Sequence, residues 1–248
     1  MIPRFGRAAP ELCIISNHVL SFIYDRWSFL LNDMNQAWLS QRNLQIFADA
    51  IHEKGAPLDY SWGLLDGAVR PKCRPGQNQR IVYNGHKKVH ALKFQSVVAP
   101  NGLIANLYGP VEGRRHDSGM LGDSALLGKL QQHSFGTRNN ILCIYGDPAY
   151  PLRPQLMGPF RGARVTPAEN VWNKEMSKVR ISVEWVFGDI VNYFKFLDFK
   201  KGLKIQLSAV GKMYVVCALM HKARACLYGN TTSNYFELQP IQLQEYFR

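Results

Sequence analysis

Ile141-Leu142-Cys143-Ile144-Tyr145-Gly146-Asp147-Pro148 reads as a buried strand that stops on an acid. Five apolar residues in a row show no polar alternation, which is the pattern of a strand covered on both faces. Gly146, Asp147 and Pro148 then supply turn chemistry. Upstream, Ser118 to Leu130 reads as a helix. Before it, Arg80 to Tyr83, His90 to Val98 and Leu103 to Leu107 read as successive strands, the last two joined by a Pro100-Asn101-Gly102 turn. A first short apolar run, Trp62 to Leu65, ends at an Asp66-Gly67 turn. Hairpins followed by a helical crossover to a further strand predict an α/β fold, a mixed sheet flanked by helices.

The flanks are helical. Residues 10 to 55 carry Leu12, Ile15, Val19, Phe22, Ile23 and Leu30 at spacings of three and four, and Ser40 is placed to cap a second helix that Gly55 closes. Helices are also predicted from about Asn173 to Phe187 and from Leu207 to about Cys226. The tail from Gly229 holds turn residues and scattered aromatics.

With 248 residues the chain can bury a sizeable core, and its composition excludes disorder and collagen-like repeats. Thirty Lys and Arg against 18 Asp and Glu leave a formal charge of +12, which favours a polyanionic partner. The five cysteines are odd in number, widely spaced and without a Cys-x-x-Cys pair, so a reducing compartment fits. The N-terminus has no apolar signal core, and Ile14 to Leu31 is broken by Asn17, His18, Asp25 and Arg26, too polar to span a bilayer. Asn230-Thr231-Thr232 is read as a chance glycosylation match in a loop.

Four of the few acids sit where solvation is not the obvious reason. Asp66 and Asp147 each end an apolar run, where open sheets with helical crossovers place their sites. Glu184 lies inside Val183-Glu184-Trp185-Val186-Phe187, and Asp117 heads a helix after Gly113-Arg114-Arg115-His116. Each also has a plainer reading: turn chemistry for Asp66 and Asp147, a helix cap for Asp117, an ion pair with Arg180 one turn back for Glu184. Trp185 reads as core. Together in a basic chain they suit divalent-cation chemistry on phosphate, which needs several carboxylate oxygens in one place.

Five ordered blocks carry a resemblance. Leu65–Pro71, Gln79–Lys87, Gly109–Ser118, Gly146–Leu152 and Val183–Gly188 resemble the PIF/Harbinger class of DDE transposases and the Harbinger transposase-derived nucleases, over about Asp59 to Tyr228. The resemblance implies an RNase H-like, integrase-type mixed sheet and a metal-dependent DNA endonuclease that leaves a 3′-OH. Asp66, Asp147 and Glu184 match its catalytic acids. With Asp117 they match its metal ligands, for Mg²⁺ or Mn²⁺. It also implies a nuclear location, with the cytoplasm as a second one, and a Myb-like partner for DNA targeting. Residues 1–58 are read as the helical remnant of a longer DNA-binding region, 59–228 as the endonuclease domain and 229–248 as a tail.

The bases suit this reading. Arg70, Arg80, His86, Lys87, Lys88, Arg114, Arg115, Arg180, Lys200 and Lys201 are the candidate DNA contacts. Most fall in two basic runs, Arg70 to Lys93 and Lys195 to Lys204, with aromatics at their edges. Solvated, aggregation-resistant strand edges would look similar. Cys73, His86 and His90 mimic half a zinc finger but lack a second cysteine. If His86 and His90 share a strand, they face one side with Lys88. Two rival functions remain: a catalytically inactive domesticated transposase serving as a DNA-binding or scaffold protein, and a ribonuclease on the same core. A membrane-surface protein would need a basic amphipathic helix, and none is evident.

Overall fold

A computed structural model describes residues 2–198, 203–204 and 209–247, without the side chains of Ile2 and Pro3. The helices are α1 (Ile2–Phe5), α2 (Ala9–Trp27), α3 (Gln41–Glu53), α4 (Gln79–Val82), α5 (Asp117–Asp123), α6 (Leu126–His133), α7 (Pro167–Arg180), α8 (Ser182–Tyr193), α9 (Val210–Tyr228), α10 (Thr231–Phe236) and α11 (Leu243–Tyr246). The strands are β1 (Ser61–Pro71), β2 (Tyr83–Asn84), β3 (Val89–Val98), β4 (Ile104–Glu112), β5 (Cys143–Tyr145) and β6 (Leu156–Met157).

The sheet is mixed, as its sequence predicts. Antiparallel pairing joins β4 to β3 and β3 to β1; parallel pairing joins β1 to β5 and β5 to β6. The spatial order is therefore β4-β3-β1-β5-β6, with β2 on the start of β3. β1 is central. Ser61 to Leu65 are all buried, and α3 and α8 both pack on this strand. Trp62 is fully buried, its indole N–H donating to Ser134 Oγ at 3.2 Å. Hydrophobic burial of this strand and of β5 holds the fold together.

The flanking helices join the same core. Ser40 caps α3 as expected, its hydroxyl accepting from Asn43 N. Leu44, Phe47 and Ile51 pack inward from it. α9 is buried along most of its length and carries α2, α8 and α11 against it. Lys222 on α9 is fully buried, donates to the carbonyl of Ile104 at 2.6 Å, and lies 4.2 Å from the Tyr246 ring centroid. One side chain thus links α9, β4 and the C-terminal tail.

Several elements differ from expectation. Residues 79–82 form a helical turn rather than a strand. The run 118–130 is two helices, because Ala125 takes a left-handed φ of 53°. The run 173–187 also splits, at Ile181. Asp66 does not end its strand: β1 continues five residues beyond it to Pro71, and Asp66 pairs with Ser96 in mid-sheet. Asn230 is no loop residue. It is buried as the N-cap of α10, and its amide donates to Gly102 O at 2.9 Å. Trp185 is half-buried against Tyr235 rather than in the core. The predicted helix start at Leu207 lies outside the described residues.

Candidate active site

An open cleft of about 1030 Å³ runs along the edge of β1 and is lined by Asp66, Asp117, Asp147 and Glu184 together. Each acid arrives on a different element. Asp66 comes from the middle of β1, Asp147 from the loop after β5, Asp117 from the first residue of α5, and Glu184 from the first turn of α8. Parallel pairing of β1 with β5 sets the loop after β5 beside the middle of β1. Adjacent strand positions face opposite ways, and Gly67 makes room there: a Cβ on it would lie 3.0 Å from Asp117 Oδ1.

Loop geometry sets the basic wall. A Cβ on Gly113 would come within 2.3 Å of Val82 O and 2.7 Å of Ala91 O, so this residue lies directly on neighbouring backbone. Asn84 donates to Gly113 O at 2.8 Å, and Arg114 N donates to Ile81 O at 3.3 Å. The 79–87 and 113–117 segments are thereby locked into one unit. They carry His86, Lys87, Arg114, Arg115 and His116 into the cleft.

Burial governs the electrostatics of Asp66 and Asp147, whereas Glu184 is exposed. Burial pushes the Asp66 carboxyl up to about 6, with Asp147 and Glu184 adding to the rise; Arg180 and the Gly67 N–H oppose it. Burial also raises Asp147, with Asp117 adding and the Ala149 N–H, Arg180 and Lys93 opposing. Two cations answer this charge. Arg180 Nη1 lies 3.4 Å from Asp66 Oδ2, and Lys93 Nζ lies 2.7 Å from Asp117 Oδ1 while also donating to Arg115 O at 2.9 Å. Tyr150 is buried beside the same acids. Burial raises its phenol, Asp117, Asp147 and Asp66 raise it further, and its hydroxyl has no hydrogen-bond partner among the described residues.

Two plainer readings of the acids are not what the side chains do. His116, not Asp117, occupies the N-cap of α5, and Asp117 turns to Lys93. Arg180 turns to Asp66 rather than Glu184, since the helix break at Ile181 separates the two.

The candidate DNA contacts divide. His86, Lys87, Arg114, Arg115 and Arg180 line the cleft. Arg70 lines it too, but its guanidinium donates to Phe187 O and Tyr214 OH, both at 3.1 Å, and lies over the Tyr214 ring. It is a brace between β1 and the helices. Arg80 and Lys88 are exposed outside the cleft. Lys200 and Lys201 lie outside the described residues. His86 and His90 do not share a strand: His86 is in the turn before β3, and His90 packs on Tyr83.

In the sequence Lys93 is read only as the end of a basic run, not as a partner of the acids, and Tyr150 is given no role. The signal for Lys93 was present: a lysine inside the apolar strand Ala91-Leu92-Lys93-Phe94 needs a buried partner. Tyr150 gave no such signal.

An all-carboxylate donor set is the chemistry of a hard divalent cation. The raised Asp66 and the Tyr150 hydroxyl, unpartnered among the described residues, are also features that such a cation, with its bound water, would relieve. As the side chains stand, no three His, Cys, Asp or Glu among the described residues are close enough to share an ion.

Fold and cleft define a class: a mixed α/β domain that gathers carboxylates into a basic cleft beside its central strand. Sequence comparison gives the particular family. The DDE superfamily endonuclease model matches residues 65–222, well over half of the chain. The chain belongs to the DDE superfamily endonucleases. No curated protein and no solved structure matches it. A nuclease domain of this family implies DNA as the substrate. No helix among the described residues is long and apolar enough to cross a membrane.

Proposed function

We propose that this chain is a divalent-metal-dependent DNA endonuclease of the PIF/Harbinger DDE transposase class, built on an RNase H-like core. One observation carries the reading: four acids from four separate elements line one cleft whose other wall is basic. Three antiparallel strands followed by two parallel ones, in the order β4-β3-β1-β5-β6, support the RNase H-like assignment.

Asp66, Asp147 and Glu184 would hold the cation, Asp117 supporting from the neighbouring face. When bound, Mg²⁺ or Mn²⁺ supplies an activated water and neutralises charge on the phosphate and the leaving 3′-oxygen. The chain's own groups do the rest. Arg114, Lys87 and His86 grip the backbone without reading sequence. Burial around Asp66 keeps the site's electrostatics strong. Tyr150, held neutral, offers a hydroxyl donor among the acids. Nuclear residence and a Myb-like targeting partner belong to the same reading.

Plasmid nicking with Mg²⁺ or Mn²⁺ tests it. The wild type should convert supercoiled to open circles, and Asp66→Ala should not. A second reading, an inactive DNA-binding descendant, is favoured by the two acids that already carry internal cations. It predicts duplex binding with no nicking by either protein.

A further inference from the structure

The cations of the cleft are held very unequally. Arg70 makes two hydrogen bonds at 3.1 Å and lies over two aromatic rings. Lys93 is 93 % hidden at its side chain and donates twice, at 2.7 and 2.9 Å. Arg180 has one ion pair, at 3.4 Å, and no hydrogen bond to any described residue. Charge-assisted hydrogen bonds close to about 2.7–2.9 Å, so this contact is loose by comparison. Yet it is aimed at the most enclosed acid of the site: the side chains of Arg180 and Asp66 are only 22 % and 15 % exposed.

Its position adds to this. Arg180 is the last residue of α7, and Glu184 stands in the first turn of α8, across the break at Ile181. The guanidinium therefore projects from the junction that also delivers the helical acid. Asp66 Oδ1 already accepts the Gly67 N–H at 2.9 Å, leaving Oδ2 as the oxygen Arg180 takes. A planar guanidinium pairs with phosphate at least as well as with carboxylate, and better when both of its N–H edges engage.

Resting on the nuclease reading above, we propose that Arg180 is an exchangeable counter-ion. It neutralises Asp66 in the free protein and releases that carboxylate to the divalent cation when a DNA phosphate takes the guanidinium. Arg180 is then a positioning residue that couples metal binding to substrate binding. The coupling is reciprocal: duplex raises metal affinity by the factor by which metal raises duplex affinity. The free protein would be kept from loading its metal fully until DNA is in place.

Mn²⁺ affinity of the full chain, measured by calorimetry or by the resonance of free Mn²⁺, tests this without any cleavage. Without DNA, Arg180→Gln and Arg180→Met should each bind Mn²⁺ roughly tenfold more tightly than the wild type, within the usual range for coupled sites. A short phosphorothioate duplex should raise the wild-type affinity by a similar factor and raise that of the variants much less. The proposal is overturned if folded Arg180 variants bind Mn²⁺ no more tightly than the wild type while Asp66→Asn removes binding; the nuclease reading would survive that result. It is also overturned if duplex leaves the wild-type affinity unchanged, a result independent of how the variants fold. Mn²⁺ binding that is indifferent to Asp66→Asn would remove the metal-site reading and this inference together.

Discussion

Asp66 is ionised at neutral pH against the preference of its surroundings. Its folded carboxyl titrates near 6 against an ordinary 3.8, so the folded protein binds this proton more tightly than the unfolded chain does. The sign follows. Ionised Asp66 opposes folding, the opposition grows as pH rises through 3.8, and it is complete above about 6. At about 1.4 kcal/mol per unit, the full effect is of order 2–3 kcal/mol. Asp66→Asn should therefore stabilise the protein in EDTA by about 2 kcal/mol at pH 8, and by much less at pH 4. Urea unfolding at the two pH values checks this, and a variant less stable than the wild type at pH 8 would contradict it. A stabilising change that removes activity marks a residue kept for function rather than for the fold.

The elements show what the sequence could and could not reveal. β3, β4 and β5 were legible because apolar runs end at strong turn residues such as Pro100-Asn101-Gly102 and Gly146-Asp147-Pro148. The run Arg80-Ile81-Val82-Tyr83 has strand propensity, but only Tyr83 enters a strand; Arg80 to Val82 fold as a helical turn, on which Gly113 and Arg114 pack. Tertiary contact overrides so weak a local preference. Asp66-Gly67 looked like a turn, although its glycine instead serves the approach of Asp117 inside the sheet. The breaks at Ala125 and Ile181 carry no Gly or Pro to announce them. The Lys93–Asp117 pair joins residues on different elements, which spacing alone does not reveal. Gly113→Ala places a methyl against two backbone carbonyls, so it should cost about 1–3 kcal/mol and weaken DNA binding with it. Denaturant unfolding and a duplex-binding titration measure the two effects; a variant as stable as the wild type would show that the loop has slack.

Across the whole molecule the +12 charge resolves into parts with different duties. Arg70 braces β1 against Phe187 and Tyr214, whereas Lys87 and Arg114 are exposed on the cleft wall. Arg114→Ala and Lys87→Ala should each lower the slope of log affinity against log salt by about 1, with little change in stability. Arg70→Ala should do the reverse, lowering stability and leaving the slope nearly unchanged. Duplex binding at several salt concentrations, beside thermal unfolding, separates them, and a slope unaffected by Arg114→Ala would remove that residue from the DNA-binding surface. The four acids are the groups that would hold the cation. Their convergence on one cleft is tested most directly by the rate of supercoiled-plasmid nicking against Mn²⁺ concentration, for the wild type, Asp147→Asn and Glu184→Gln. The wild-type rate should rise and saturate with Mn²⁺, and each variant should lose at least about a hundredfold, the scale expected when charge stabilisation at the reacting phosphate is removed. Nicking that needs no metal, or that survives both substitutions, would contradict the site proposed here.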